Sequence, residues 1–154
     1  MDKVEKLNSL LAQMCNELYE NSTNYAVSIE IFGAIGMAGE APHNIVCKAL
    51  ENPVVLGKIE NANASEVLGA VSDSFHYSEG GSVHPNLEFL GSESFSLLKQ
   101  EILEHLQNLL LGANQIMSFW IKEGKHPFYP VFWDYAFIIE GKSDAFVLIG
   151  SASD

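Results

Sequence analysis

The C-terminal segment places the strongest constraint on the fold, because it is apolar on both sides of an alternating pattern. Val131 to Ile139 forms one run and Ala145 to Ile149 forms the next. Glu140 to Asp144, between them, has the Gly, Ser and Asp composition of a turn. A strand that is apolar on both faces is normally central and covered by other elements. The pattern therefore predicts a β-hairpin in the middle of a sheet.

Two amphipathic helices accompany this hairpin. Residues 2–20 carry apolar side chains at spacings of three and four, and residues 92–111 carry a broader apolar stripe. Such spacing brings the apolar side chains to one side of a helix. The first stripe spans barely two heptads, so we expect the helix over residues 2–20 to face a core rather than form a coiled coil.

The remaining segments are less regular. Tyr25 to Phe32 alternates and contains β-branched residues, which predicts a strand, with a helix running on to Ala38 as the alternative. A helix that resumes from Gln115 to Ile121 is a further alternative, and residues 78–92 form the most loop-like stretch. Shorter elements are expected at residues 45–50, 54–56 and 64–75.

These elements predict an α+β fold. A small, mainly antiparallel sheet with a C-terminal β-hairpin would pack against two long and one or two short helices. The chain has 154 residues, of which 47% are hydrophobic. That length and composition favour one globular domain over residues 1–154 and disfavour intrinsic disorder.

The chain is strongly acidic and contains no arginine. Twenty Asp and Glu residues face eight lysines, which gives a formal net charge of −12. Such a surface repels nucleic-acid phosphates and anionic lipid and attracts basic protein surfaces. The charged N-terminus has no apolar leader, no stretch is apolar enough to span a membrane, and two cysteines suit a reducing compartment. We therefore expect a cytoplasmic protein that contacts neither nucleic acid nor membrane.

Motifs for catalysis, cofactors and metals are weak. Gly33, Gly36 and Gly39 are spaced G-x-x-G-x-x-G, whereas a dinucleotide site needs G-x-G-x-x-G, so structural glycines are favoured. The five histidines are scattered, and the spacing of His43 and Cys47 has no companion pair for zinc. We expect no cofactor and no metal, and a binding protein is favoured over an enzyme.

Five residues are candidate partner contacts. Glu79 and Glu88 are acids of the loop-like stretch, and Tyr129 and Trp133 belong to a proline-stiffened aromatic segment. Exposed Tyr and Trp are frequent interface anchors. Asp134 is an acid in an otherwise apolar strand, and it is either a functional carboxylate or a structural one satisfied by hydrogen bonds.

The charge favours an acidic, non-catalytic protein that masks a basic protein partner, in the manner of an immunity protein or inhibitor with its toxin. The alternative is a small-ligand-binding protein or enzyme with a pocket between the C-terminal sheet and helix 92–111. Trp120, Trp133 and Tyr135 would line that pocket, with Asp134 or His126 as its polar group. Self-association through an edge strand or the first helix is a third possibility, and the oligomeric state is open.

Overall fold

In the part of the chain that the structure describes, the fold combines two long helices and three shorter ones with seven strands. The computed structural model describes residues 2–20, 26–78, 85–128, 130 and 132–153. The α+β class predicted from the sequence is confirmed in this part of the chain. In chain order the elements are α1 (Lys3–Tyr19), β1 (Ala26–Ala34), α2 (Pro42–Leu50), β2 (Val54–Leu56), β3 (Glu60–Asn61), α3 (Ala64–Ser74), α4 (Leu87–Leu90), α5 (Glu93–Leu111), β4 (Gln115–Phe119), β5 (Ile121–Gly124), β6 (Trp133–Glu140) and β7 (Ala145–Ser153).

Five strands form an antiparallel sheet in the order β1-β7-β6-β4-β3. The predicted C-terminal hairpin is β6 and β7, and both strands are central, with a paired strand on each side. β1 is the strand predicted after the first helix, and it pairs with β7 from Ala26–Ser153 to Ala34–Ala145. β2 and β5 form a separate two-stranded ribbon.

One face of the sheet is covered by α1, α3 and α5. The apolar stripe of α1 is buried there, with Leu11 and Met14 at 1% and 0% exposure. Ile31 of β1 and Leu148 of β7 belong to the same core. Burial of this stripe fixes α1 on the sheet. The helix begins where the side chain of Asp2 accepts a hydrogen bond from the N–H of Val4 at 2.9 Å.

The opposite face is covered by α2, the β2–β5 ribbon and Phe128. Ile45 and Val46 of α2 are fully buried in one cluster with Ile138 and Val147 of the central strands. Successive side chains of a strand point to opposite faces. The parity of a residue in β1, β6 or β7 therefore decides which of the two cores it joins.

Two segments differ from expectations based on the sequence. Residues 115–121 do not resume a helix, because β4 pairs with β6 along Gln115–Phe119 and buries Met117 and Phe119. Sheet pairing against an apolar central strand outweighs the local helical pattern there. The loop-like stretch contains α4, which forms because the side chain of Asn86 accepts from the N–H of Phe89 at 3.1 Å.

α1 also contacts the outer edge of β1 through Asn8, whose two hydrogen bonds with Ile31 are here called the Asn8 clamp. The side-chain amide of Asn8 donates to the carbonyl of Ile31 at 2.9 Å and accepts from the N–H of Ile31 at 2.8 Å. A neighbouring strand would make the same two hydrogen bonds with Ile31. Outward and inward backbone groups alternate along a strand, so Val27 and Ile29 also present their N–H and C=O to this edge.

Candidate partner-binding site

The predicted contact residues that the structure describes lie apart from one another. Glu88 is exposed on α4, whereas Trp133 and Asp134 are neighbours on β6 and so point to opposite faces of the sheet. Glu79 and Tyr129 lie outside the described residues. Each of the three described residues therefore faces a different environment.

Trp133 is part of a row of aromatic side chains. Its ring stacks on that of Tyr135, with centroids 5.8 Å apart and an interplanar angle of 6°, and the Tyr77 ring lies 5.6 Å away. The hydroxyl of Tyr135 is 3.0 Å from that of Ser74. Burial raises the pKa of Tyr135 well above its usual value, so this phenol stays neutral. Trp133 is half-buried in this row and contributes to the core beside α3.

Asp134 has a partner in His126. Nε2 of His126 lies 3.3 Å from a carboxylate oxygen of Asp134, and the two side chains are 14% and 39% exposed. The backbone N–H of Phe128 donates to Nδ1 of His126 at 3.0 Å. Nδ1 also lies 3.1 Å from the carbonyl oxygen of Phe128, so Nδ1 contacts the backbone of Phe128 while Nε2 faces Asp134. Both ring nitrogens are engaged, and the pair anchors residues 126–128 to β6 rather than offering a free base.

A groove runs along the outer edge of β1, between that strand and α1. It has a volume of about 820 Å³ and is here called the edge groove. α1 contributes Gln13, Asn16 and Glu20 among others, β1 contributes residues 27–30, and Phe128 lines it from the far face of the sheet. Phe128 is held there by its contact with Phe32, with ring centroids 6.4 Å apart. The groove therefore wraps around the strand edge and reaches both faces.

Glu30 is the acid of the strand side of the edge groove. Its side chain points to the face opposite α1, since the alternate residues Ile29 and Ile31 point towards α1. Partial burial raises the pKa of Glu30, because desolvation disfavours the charged form. Among the described residues, its carboxylate has no ion pair or hydrogen bond. The charge of Glu30 is thus partly desolvated, and no described residue supplies a compensating cation.

A second groove lies on the other side of the exposed face of α1. It has a volume of about 540 Å³, is here called the helix groove, and is lined by Glu17 of α1 and Glu88 of α4. Gln13 lines both grooves, so they meet at α1. The backbone N–H of Asn86 donates to the carbonyl of Leu18 at 2.7 Å and fixes the segment before α4 against the end of α1.

Among the described residues, the charged side chains that line the two grooves are all carboxylates. Glu17, Glu20, Glu30 and Glu88 line the two grooves, and no lysine does so within the described residues. The pairs between lysine and carboxylate that occur in the described ranges, Lys6–Glu101 at 4.0 Å and Lys58–Glu60 at 2.9 Å, lie elsewhere. Only Glu88 of these four acids was identified from the sequence. Glu30 carried a usable signal there, since it is the single acid in an alternating strand.

An apolar cavity of about 360 Å³ lies where the alternative hypothesis placed a pocket, between α5 and the C-terminal sheet. Its walls include Leu7 of α1, Leu109 of α5, and Ile139 and Phe146 of the hairpin. Lys3, His105 and Asn108 are its polar lining residues.

The side chains predicted to line such a pocket lie elsewhere. Trp133 and Tyr135 belong to the aromatic row, and His126 with Asp134 lies on the opposite face of the sheet. Trp120 covers Gly57, where an added Cβ would lie 1.9 Å from the indole ring. The cavity therefore has a different chemistry from the one predicted, since its walls are mainly apolar and none of its described lining residues carries a carboxylate.

Comparison of the chain with known protein families and with curated proteins found no match in either case. Within the described residues, no three His, Cys, Asp or Glu side chains are grouped so as to hold a metal ion. The described helices are each too short or too polar to cross a membrane.

Proposed function

We propose that this protein binds a basic protein partner and masks its cationic surface, in the manner of an immunity protein or inhibitor. The observation that carries the proposal is the pair of acidic grooves on either side of α1, lined by Glu17, Glu20, Glu30 and Glu88 without a lysine among the described residues. Two grooves that meet along one helix offer a concave, single-signed surface of the kind that complements a protruding cationic segment.

Electrostatics supports the same role. A net charge of −12 accelerates association with a cationic partner by steering. Clefts lined by one sign of charge focus the field, so encounters are directed to the grooves rather than to the whole surface. Glu30 adds a local reason, because a cation that enters the edge groove compensates a carboxylate that burial has partly desolvated.

Two variants of equal net charge test the proposal. The groove variant replaces Glu17, Glu20, Glu30 and Glu88 with Gln. The control variant makes the same replacement at four exposed acids outside both grooves, Glu40, Glu51, Glu104 and Glu123. Each variant has a formal net charge of −8, which is −12 with four carboxylates removed. The probe is a capped lysine homopeptide about ten residues long, titrated by calorimetry at about 20 mM and about 200 mM salt.

We expect the groove variant to bind the peptide about tenfold more weakly than the control variant at low salt, since each exposed charge pair contributes about 0.2–1 kcal/mol. At high salt the difference in affinity between the two variants should be smaller, because salt screens the charges. Equal weakening in the two variants would mean that only overall charge matters, and the proposed site would be wrong. Absence of binding to the unmodified protein at low salt would contradict the proposed function itself.

The apolar cavity supports a second candidate function, the binding of a small apolar ligand. Lys3 and His105 at its wall favour a ligand that also carries an anionic group. The probe is anilinonaphthalene sulfonate, which combines both features. Ala113 also lines the cavity, so we expect Ala113→Phe to fill it and to abolish the dye fluorescence. The control is Leu111→Ala at the end of α5, where the side chain is 76% exposed, and it should preserve the fluorescence. Unchanged fluorescence in Ala113→Phe would exclude the cavity as the dye site.

A further inference from the structure

On the outer edge of β1, some backbone groups have no hydrogen-bond partner among the residues that the structure describes. The Asn8 clamp satisfies Ile31, but no hydrogen bond from any described residue reaches the outward N–H and C=O of Val27 or Ile29. Val27 and Ile29 are only 7% and 6% exposed, and both line the floor of the edge groove. Polar backbone groups at such low exposure are usually paired, because water reaches them poorly.

We propose that the basic partner inserts an extended segment into the edge groove and pairs with β1 at Val27 and Ile29 as an added strand. This inference rests on the proposed function and specifies how the acidic surface engages its partner. The added strand would satisfy the unpaired N–H and C=O groups of both residues. Asn8 sets one limit of the pairing, because it already occupies Ile31.

Charge complementarity identifies the occupant as a cationic segment. Side chains of an added strand would alternate between the two faces of the sheet. On one face they would meet Glu30 and Phe128, and on the other Asn16 and Glu20 of α1. Lysine or arginine at alternate positions would therefore reach Glu30, and an apolar stem would contact the ring of Phe128. No lysine lines the groove among the described residues to oppose such a segment.

Two peptides of equal charge test the pairing. The first is a capped peptide of alternating lysine and threonine, about ten residues long, which suits a strand. The second has the same sequence with methylated amide nitrogens in its central residues, so it keeps the charge but cannot donate hydrogen bonds. We expect methylation to weaken binding at least about tenfold, the effect of losing two hydrogen bonds. Amide exchange of Val27 and Ile29 should slow on binding of the first peptide.

Internal controls lie on the same strand. The N–H of Ser28 faces β7 and that of Ile31 is bonded to Asn8, so we expect both to exchange at unchanged rates. Equal affinity of the two peptides, with reduced binding of both to the groove variant, would overturn strand pairing and leave the acidic binding role intact. Failure of both peptides and of the lysine homopeptide to bind at low salt would overturn the two proposals together.

Discussion

The Asn8 clamp gives a prediction whose magnitude follows from the structure. Asn8→Ala removes the two hydrogen bonds that hold Ile31, at 2.9 and 2.8 Å. Ile31 is 2% exposed, so its N–H and C=O would lose their partner in a place that water reaches poorly. The same change would add Ile31 to Val27 and Ile29 as buried, outward-facing residues of β1 whose backbone groups have no partner among the described residues.

The expected loss of stability combines two opposing terms. Each hydrogen bond contributes about 1 kcal/mol, and leaving the buried groups of Ile31 unpaired brings the loss to about 2–3 kcal/mol. Alanine is the better helix former, so the substitution also stabilises α1 by about 0.5 kcal/mol. We therefore expect Asn8→Ala to lower the free energy of unfolding by about 2 kcal/mol, which is a fall of about 5 °C in the melting temperature.

Asn16→Ala is the matched control. Asn16 lies in the same helix, is exposed, and makes no side-chain hydrogen bond with the described residues. It should gain about 0.5 kcal/mol from helix propensity alone. Urea unfolding of both variants, with amide exchange at Ile31, measures the difference. If Asn8→Ala were as stable as Asn16→Ala, or if Ile31 stayed protected from exchange, the clamp would not stabilise the strand edge.

Three further changes test other parts of the structure. Gly150→Ala would place a Cβ 2.3 Å from Cζ of Tyr135, and we expect a loss of about 1–3 kcal/mol in urea unfolding, whereas Gly69→Ala, which meets nothing within 4 Å, should be neutral or stabilising. Burial raises the pKa of Glu30 in the folded protein above its ordinary value of 4.5, because desolvation disfavours the charged form. Its charge therefore destabilises the fold at pH 7, and this effect disappears below about pH 4, where the carboxyl group is protonated in both the folded and the unfolded protein. Glu30→Gln should therefore melt higher than the unmodified protein at pH 7, and the gap should close as the pH falls; a constant gap would contradict this cause. Burial raises the pKa of the Cys15 thiol to about 12, so Ellman's reagent at pH 8 should label it only as fast as the protein unfolds, in a variant whose other cysteine is replaced by serine.

Much of the fold was predictable from the sequence because local pattern and tertiary burial agree there. The stripe of residues 2–20 and the alternation of β6 each define a buried face before any contact is known. Residues 115–121 show where this stops. Their pattern permits a helix, and only the pairing of Gln115–Phe119 with β6 makes the strand the better solution. Such pairing joins segments that are distant in the sequence, so it cannot be predicted from local propensity.

The candidate site was less predictable, because it depends on register and on packing between distant segments. Trp133 and Asp134 were both candidate contacts from the sequence, yet alternation along a strand sends them to opposite faces. Glu30 and Glu20 lie ten positions apart and share a groove only because α1 folds back along β1. β7 pairs with β6 on one side and with β1 on the other, and this makes β1 the edge strand of the sheet. That long-range pairing decides which backbone groups of β1 face outward.

Two features of the edge groove are individually unfavourable in the free protein, and one kind of occupant relieves both. Glu30 is a partly desolvated carboxylate without a cation, and Val27 and Ile29 present unpaired backbone groups, in each case with respect to the described residues. A neutral strand would pair with the backbone groups of Val27 and Ile29 but would not compensate the charge of Glu30. A mobile cation would compensate that charge but would not pair with the backbone groups. An extended cationic segment does both. Glu30→Gln should consequently raise stability while lowering affinity for the lysine–threonine peptide, and these opposite signs separate a binding carboxylate from a structural one, whose loss would lower stability.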